Sequence, residues 1–144
     1  MKGINVIHDT GRLLKIAARQ LTKNFDKFAQ KYDLTATQMS IIDHLGRTNN
    51  EVLQRDLELE FNIKRSTATL ILQRMEKKNL VTRTTAYSDA RQKAVRLTEK
   101  GKKLVKTVIN YMTYQQNLLE KNFTKSEIQI FEKILKYYGR EKIL

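Results

Sequence analysis

The chain has 144 residues, of which 28 are Lys or Arg and 15 are Asp or Glu, so its formal net charge is +13. This excess of cations favours a polyanionic partner, because binding releases condensed counterions. The absence of cysteine excludes disulfides, thiolate nucleophiles, thiol redox sensors and most structural zinc sites. No apolar run approaches signal-peptide or membrane-span length, so we expect a soluble, cytoplasmic, unexported protein with no membrane partner.

Long helices should dominate the chain, since it contains no proline and only five glycines. Apolar residues recur in steps of three and four from Ile4 to Tyr32, which predicts a long amphipathic first helix. Thr35 and Gln38 have the spacing of a capping box and predict a second helix that ends near Gly46.

Two shorter helices, over residues 51–61 and 65–78, are predicted next. Residues 80–97 then break the helical pattern, because β-branched and aromatic residues flank a polar centre, as in a strand hairpin. A fifth helix is predicted over residues 98–123, and a second capping box, formed by Thr124 and Glu127, predicts a closing sixth helix. The predicted fold is therefore mainly α with a small β wing.

Helical spacing divides the fourth helix into an apolar face and a polar face. The inward stripe comprises Ala68, Ile71, Leu72 and Met75. The other side and its flanks carry Lys64, Arg65, Ser66, Thr67, Thr69, Leu70, Gln73, Arg74 and Lys77. Short hydroxyl side chains there can bond phosphates or base edges, and Leu70 can meet a thymine methyl. The alternative is that Ser66 merely caps the helix and the hydroxyls form a solvated face.

Two motifs resemble the MarR (multiple antibiotic resistance regulator) family of bacterial winged-helix transcription factors. The first is Leu57-x3-Phe61-Asn62-Ile63-x-Arg65-Ser66-Thr67-Ala68-Thr69-x2-Leu72-x2-Met75-Glu76-Lys77-x-Asn79-Leu80-Val81-x-Arg83, which is similar to the helix-turn-helix of that family. The second is Asp89-x-Arg91 followed by Val95-x-Leu97-Thr98-x2-Gly101, which is similar to its wing and the start of the next helix. Together they cover about a third of the chain.

The resemblance implies one MarR-like domain over 1–144, with a winged helix-turn-helix lobe over 35–100 and dimerisation helices over 1–34 and 101–144. It also implies a homodimer that places the fourth helix in the major groove of double-stranded DNA and the hairpin tip near the minor groove. Such a protein would be a sequence-specific regulator, and we expect a repressor of a pseudo-palindromic operator. Its half-sites should lie about one helical turn apart, roughly 34 to 36 Å. Release by a small-molecule effector is implied by the resemblance alone.

Most of the predicted DNA-binding residues receive a role in this hypothesis. Gln54, Arg55 and Lys64 are expected on phosphates, and Ser66, Thr67, Thr69, Gln73 and Arg74 are expected to read or approach bases. The complete predicted set is Gln54, Arg55, Lys64, Arg65, Ser66, Thr67, Thr69, Leu70, Gln73, Arg74, Asp89, Arg91 and Lys93.

The wing tip contains one acidic residue, Asp89, close to Arg91 and Lys93. A carboxylate there can hold Arg91 extended before the arginine enters a narrow groove, which is the role that the resemblance implies. The alternative is an Asx turn at Asp89, with Arg91 as one more solvated cation.

Three departures from the family pattern have physical consequences. Asn62 and Asn79 replace common glycines at positions where positive φ is expected, and Asn tolerates that conformation. Glu58 replaces a small residue, so its carboxylate must either reach solvent or pair with a cation.

The remaining candidates have simpler interpretations. His8 and His44 are expected on helix surfaces rather than in a metal site, and no cofactor is predicted. The basic strip of Lys100, Lys102, Lys103 and Lys106 fits either phosphate contact or a solvated face. The tyrosines that fit either an aromatic effector pocket or a dimer interface are Tyr111, Tyr114, Tyr137 and Tyr138.

Other classes of function have less support. No Gly-rich phosphate loop, nucleophile triad or close carboxylate pair stands out in the sequence, so an enzyme is not predicted. The same positive charge fits an architectural protein that coats nucleic acid with little sequence preference. A membrane-surface protein is disfavoured, because the apolar faces have core-forming spacing and tryptophan is absent.

Overall fold

The computed structural model describes residues 9–140, which contain six helices and one two-stranded antiparallel sheet. The elements in chain order are α1 Thr10–Gln30, α2 Ala36–Arg47, α3 Gln54–Glu60, α4 Arg65–Lys77, β1 Val81–Thr85, β2 Lys93–Leu97, α5 Glu99–Asn122 and α6 Lys125–Arg140. This confirms a mainly α fold with a small β wing. Among the described helices, none is both long enough and apolar enough to cross a membrane.

The chain divides into two compact units, and the boundary follows Lys102 within α5. The first unit therefore contains α1 together with the winged helix. The finer division into 1–34, 35–100 and 101–144 stays a prediction.

Side-chain caps set the starts of the first two helices. The carboxylate of Asp9 accepts a hydrogen bond from the backbone N–H of Arg12 (2.9 Å) and caps the start of α1. The predicted part of this helix from Ile4 to His8 lies outside the described residues. At α2 the predicted capping box is confirmed, since Thr35 and Gln38 each accept from the backbone N–H of the other, at 3.2 and 3.0 Å. These caps satisfy amide groups that a helix start leaves free.

The core of the first unit lies between the helices and the wing. From α2, the side chains of Met39, Ile41 and Ile42 are almost fully buried. From α4, Leu72 and Met75 are fully buried, as the predicted inward stripe requires, while Ile71 is only half-buried. This apolar packing holds α4 with its other face toward solvent.

The predicted start of α3 at Glu51 is wrong. The segment Val52–Leu53 is extended instead, because the backbone N–H of Val95 donates to the carbonyl of Val52 (2.8 Å) and Leu53 forms an isolated antiparallel bridge with Ala94. The helix begins only after this pairing, at Gln54. The linker before α3 is thereby attached to the wing.

Three segments end in tight turns, and each turn contains one residue with a left-handed backbone conformation. Asn62 has φ of 49° in the helix-turn-helix and Asn79 has φ of 58° after α4, which confirms both predicted positive-φ sites. Asp33, with φ of 59°, is a third such residue and was not predicted. Asn and Asp adopt this region more readily than other non-glycine residues, since their short side chains can hydrogen-bond locally.

The second unit ends in the amphipathic helix α6. Its predicted capping box is confirmed: the backbone N–H of Thr124 donates to Glu127 (2.9 Å), and that of Glu127 donates to the Thr124 hydroxyl (3.2 Å). Several large apolar side chains of α6 remain exposed in the described chain, namely Ile130, Phe131, Ile134, Leu135, Tyr137 and Tyr138.

Gly101 allows the first turn of α5 to approach the backbone of Leu80, in the turn between α4 and β1. A Cβ atom at this position would lie 2.3 Å from the backbone oxygen of Leu80 and 3.0 Å from Cδ2 of Leu97. The Leu80 carbonyl also accepts the backbone N–H of Thr98 (3.0 Å), so it cannot move without breaking that bond. The close approach therefore requires glycine.

We predict that Gly101→Ala lowers the free energy of unfolding by about 1–3 kcal/mol, because the added methyl overpacks against backbone. Gly139→Ala is the matched control, since nothing lies within 4 Å of its Cβ position, and it should raise stability by about 0.5–1 kcal/mol. Urea denaturation of the two variants measures both effects. Equal stability of the Gly101 variant and the parent chain would contradict the close approach.

Candidate nucleic-acid interface

α4 presents a continuous polar face to solvent. Its apolar stripe is held in the core through Ala68, Leu72 and Met75. The predicted reading residues on the other side are exposed, except Thr69, which is half-buried; they are Lys64, Arg65, Ser66, Thr67, Thr69, Leu70, Gln73 and Arg74. We call this set the polar face of α4. The helix diameter, about 10–12 Å, matches the width of the DNA major groove, about 12 Å.

The N-terminus of α4 has no side-chain cap. Its N-cap residue is Lys64, whose side chain makes no capping hydrogen bond, and Ser66 is the second residue of the helix. The alternative that Ser66 serves as the cap is therefore wrong. The uncapped backbone N–H groups and the helix dipole favour an anionic group at this end.

A cleft rich in cations lies beside the polar face of α4. It is formed by α3, α4 and the wing, and we call it the basic cleft. Its lining residues are Gln54, Arg55, Glu58, Arg65, Thr69, Arg83, Arg91, Gln92 and Lys93. Glu58 is half-buried and lines this wall, which agrees with the alternative that its carboxylate reaches solvent. The cleft brings together predicted residues from three separate segments.

Gln54 lies beneath the surface rather than on it. Only 8% of the residue is exposed, and its amide is used internally. Nε2 donates to the hydroxyl of Thr69 (2.9 Å), and Oε1 accepts from Nη1 of Arg83 (3.1 Å). A residue that contacts phosphate was expected to be exposed, and Gln54 is buried instead. Arg55, the next residue, is exposed as expected.

Arg83 joins the wing to both helices of the helix-turn-helix. Besides Gln54 on α3, its guanidinium donates through Nε and Nη2 to Oε1 of Glu76 on α4, at 3.1 and 2.9 Å. Its side chain is only 17% exposed. Because arginine offers several donors in a fixed planar arrangement, these contacts restrict its orientation strongly.

At the wing tip, the carboxylate of Asp89 both forms a turn and bonds the side chain of Arg91. The backbone N–H of Arg91 donates to Oδ1 of Asp89 (3.0 Å) in an Asx turn. The guanidinium of Arg91 also donates from Nε and Nη2 to the two carboxylate oxygens, at 3.2 and 3.3 Å. The side-chain hydrogen bond, followed by the backbone one, lowers the pKa of Asp89. The Arg91 side chain itself is 88% exposed.

Glu51 anchors the other end of the wing loop, a role that sequence reasoning missed. Its carboxylate accepts the backbone N–H groups of Tyr87 (2.8 Å) and Ser88 (3.1 Å) and the Ser88 hydroxyl (2.7 Å). Nη2 of Arg96 donates to the same carboxylate (3.1 Å), and this guanidinium lies 5.1 Å from the centre of the Tyr87 ring. The Tyr87 hydrogen bond is the largest of the effects that lower the pKa of Glu51.

The other candidate residues lie outside this cluster. Nδ1 of His44 is 3.6 Å from Glu60, and its ring packs edge-on against Phe61. No group of three or more potential metal ligands occurs within residues 9–140, and His8 lies outside that range. In the basic strip, Nζ of Lys100 donates to the carbonyl of Lys78 (3.0 Å). Tyr137 and Tyr138 contact each other in α6, with ring centres 5.6 Å apart.

Known proteins share both the helix-turn-helix and the surrounding architecture. A model of the MarR family matches residues 32–92. The crystal structure of the transcription regulator MarR from Oenococcus oeni PSU-1 is 52% identical, with a TM-score of 0.78 over 92% of this chain and 100% of that one.

The chain belongs to the MarR family.

Further MarR-family proteins extend the comparison. The transcriptional regulator SarZ of Staphylococcus aureus strain USA300 is 30% identical over 91 residues, which are 62% of this chain and 60% of SarZ. The chain spans about 60 to 66% of the length of the curated SarZ relatives that it matches. A putative MarR-family regulator from Listeria monocytogenes, solved with a 26mer DNA, is 24% identical, with a TM-score of 0.82 over 92% of this chain and 88% of that one, and shares the fold. These relatives are transcription regulators rather than enzymes.

We predict that the wing anchor of this MarR-family chain titrates below pH 4.5. Because the folded pKa of Glu51 is lower than its ordinary value of 4.5, its contribution to stability is fully present above pH 4.5 and is lost as pH falls through the folded pKa. The backbone amide NMR signals of Tyr87 and Ser88 should therefore stay constant from pH 7 to about pH 5 and shift below it. In Glu51→Ala this transition should be absent. A midpoint at or above pH 4.5 would contradict the anchor.

Proposed function

We propose that the chain is a sequence-specific double-stranded DNA-binding transcription regulator that acts as a homodimeric repressor on a pseudo-palindromic operator. The observation that carries this proposal is the polar face of α4, exposed beside the basic cleft. The neighbouring positive charge supplies affinity for phosphates, and the hydroxyl and amide groups of α4 suit base edges. The Listeria relative was solved with DNA, which supports the same role for this chain.

Within this proposal, charge and hydrogen bonding have separate tasks. Arg55, Lys64 and Arg65 contact phosphates and position the protein, while Ser66, Thr67, Thr69, Gln73 and Arg74 face the bases. Lys93 adds charge at the wing. We assign Gln54 to the support of Thr69, instead of the phosphate contact predicted from the sequence, because its amide is buried and hydrogen-bonded.

Arg91 is assigned to the minor groove. Its guanidinium is exposed, while the Asp89 carboxylate holds it by two side-chain hydrogen bonds. This prior ordering reduces the entropy lost when the arginine enters a narrow groove, where the negative potential is high. Asp89 therefore assists DNA binding through Arg91, although a carboxylate itself repels phosphate.

The proposal is tested by comparing affinity for the chain's own upstream promoter with affinity for random duplex at physiological salt. A specific regulator should bind its promoter more tightly than random duplex by a factor of about 10³ or more. If the ratio is near one on this and other genomic fragments, the chain is an architectural protein and the regulator proposal fails.

For the wing, Arg91→Ala should weaken promoter binding by about tenfold, equivalent to about 1.4 kcal/mol, with little change in thermal stability. Arg47→Ala is the matched control: it removes the same charge, but Arg47 pairs with Asp43 on α2 (2.7 Å) and does not line the basic cleft. Fluorescence anisotropy with labelled promoter DNA measures both. Equal effects of the two substitutions would remove Arg91 from the proposed minor-groove contact.

The proposed homodimer rests on the exposed apolar side chains of the terminal helices. On α6 the exposed positions Phe131, Ile134 and Tyr138 recur at helical spacing and form one apolar stripe. On α1, Leu13 and Leu21 are more than half exposed. Apolar stripes of this kind normally contact another chain. Two copies would also supply two reading helices for two half-sites.

We predict that Ile134→Asp shifts the chain from dimer to monomer in sedimentation velocity at micromolar concentration and weakens promoter binding. A buried carboxylate at the apolar contact would be costly. Gln129→Asp introduces the same group on the opposite side of α6 and should leave the dimer intact. A parent chain that sediments as a monomer would contradict the proposed assembly.

Regulation by a small molecule is a further part of the proposal. An apolar groove in the second unit is lined by Leu119, Phe123, Glu127, Ile128 and Phe131, and it suits an aromatic effector or a partner helix. We assign it to the dimer contact, and release from DNA by an effector rests on family membership alone. The proposed function requires a cytoplasmic location, because the chromosome of a bacterium lies there.

A further inference from the structure

We infer that Gln54 and Arg83 set the hydrogen-bonding direction of Thr69, so that its hydroxyl acts as a donor toward DNA and selects base edges that present an acceptor. The inference rests on the proposed function and deepens it, because it assigns a base preference to one position of α4. In this arrangement Gln54 and Arg83 are positioning residues and do not touch DNA themselves.

The first step is the orientation of the Gln54 amide. Arg83 has only donors, so the atom of Gln54 that lies 3.1 Å from its Nη1 must be the carbonyl oxygen. The guanidinium cannot turn away easily, since two of its other nitrogens are bonded to Glu76. The chemistry of Arg83 therefore fixes which end of the amide faces α4.

The second step is the hydroxyl of Thr69. Because the oxygen of the Gln54 amide faces Arg83, its NH₂ group faces Thr69, where Nε2 and Oγ1 are 2.9 Å apart. Nε2 donates, so Oγ1 must use a lone pair as the acceptor. In the described part of the chain, Thr69 makes no other side-chain hydrogen bond, and its own proton remains available for a different partner.

Burial makes this direction persistent. Gln54 is 8% exposed and the Arg83 side chain 17%, so water competes weakly for their hydrogen bonds. Reversal of the amide would place two donors, the NH₂ of Gln54 and Nη1 of Arg83, against each other. A buried donor left without an acceptor is strongly destabilising, because it has lost its hydrogen bonds to water. Thr69 itself is half-exposed and lines the basic cleft, so its proton can reach a DNA group.

The consequence is a preference among base edges. In the major groove, guanine presents acceptors at N7 and O6 and thymine presents O4, whereas cytosine presents the N4 amino donor. Because Gln54 occupies one of the two lone pairs of Oγ1, the hydroxyl proton always points to the DNA side, where guanine or thymine can accept it. Cytosine can use only the one lone pair that remains, so guanine and thymine are favoured over it. A threonine without this constraint would bind a donor or an acceptor edge equally well, because a free hydroxyl rotates to suit its partner.

The test first locates the base that faces Thr69. Every position of a selected half-site is substituted, and binding is compared for the parent chain and Thr69→Val, which keeps the side-chain shape and removes the hydroxyl. At the position where Thr69→Val loses discrimination, the parent should prefer guanine or thymine over cytosine by about fivefold, as expected for one net hydrogen bond.

The decisive variant is Gln54→Glu. A carboxylate at this position still accepts from Arg83, but its second oxygen accepts the Thr69 proton, so the lone pairs of Oγ1 face DNA. The preference at the mapped position should disappear or reverse toward cytosine. Gln92→Glu is the matched control, since it adds the same charge to the basic cleft without a bond to Thr69 and should keep the parent preference. Thermal unfolding checks that both variants fold.

If Gln54→Glu is unfolded, Gln54→Met replaces it; this variant keeps volume without charge and should abolish the preference without reversing it. A parent-like preference in the folded Gln54 variant would overturn the inference. If Thr69→Val weakened binding to every DNA sequence by the same factor, Thr69 would contact the DNA backbone rather than a base, and the inference would be overturned. The proposed function would stand in that case. A parent chain without any operator preference would overturn both.

Discussion

The guanidinium of Arg83 is the contact on which the DNA-facing surface depends. It lies on β1, yet its hydrogen bonds reach Glu76 on α4 and Gln54 at the start of α3. A single nearly buried side chain thus ties the wing to both helices of the helix-turn-helix. Without Arg83, the Gln54 amide oxygen and the Glu76 carboxylate would lose the donor that they share. Leaving such groups unpaired where water has little access costs more free energy than a hydrogen bond normally contributes to stability.

The wing is held at further points, each by a different kind of bond. Backbone pairing joins Val52 to Val95, and the Glu51 carboxylate accepts the backbone N–H groups of Tyr87 and Ser88. The loop is therefore fixed near its base, while Arg91 at the tip is exposed and is held by Asp89. This distribution suits a surface in which the support is rigid and the contacting side chain remains accessible.

Local signals predicted much of this arrangement. The capping boxes at Thr35 and Thr124 depend on residues close in sequence, so they were recognisable in advance. The left-handed turns at Asn62 and Asn79 were predicted from family positions where glycine is common. The polar face of α4 followed from helical spacing alone. Its relation to DNA came from the resemblance to the MarR family, since spacing could not distinguish a reading face from a solvated one.

Interactions between distant segments were not predictable in the same way. The late start of α3 depends on backbone pairing of Val52 with Val95, and the burial of Gln54 depends on Arg83. Glu51 resembles an ordinary helix-start carboxylate until the wing loop packs over it. One weak signal was available: Arg83 lies two residues after Val81 in a short strand, so the two side chains share a face of the strand, and Val81 is buried. An arginine on a buried face usually requires an acceptor.

The most direct test of this account is a crystal structure of the chain bound to a DNA fragment that it selects from its own genome. We expect α4 in the major groove with the Thr69 hydroxyl within hydrogen-bond distance of a base acceptor. The amide of Gln54 should still lie between Thr69 and Arg83. A structure in which α4 lies outside the groove, or in which the Gln54 side chain has turned outward onto a phosphate, would contradict it.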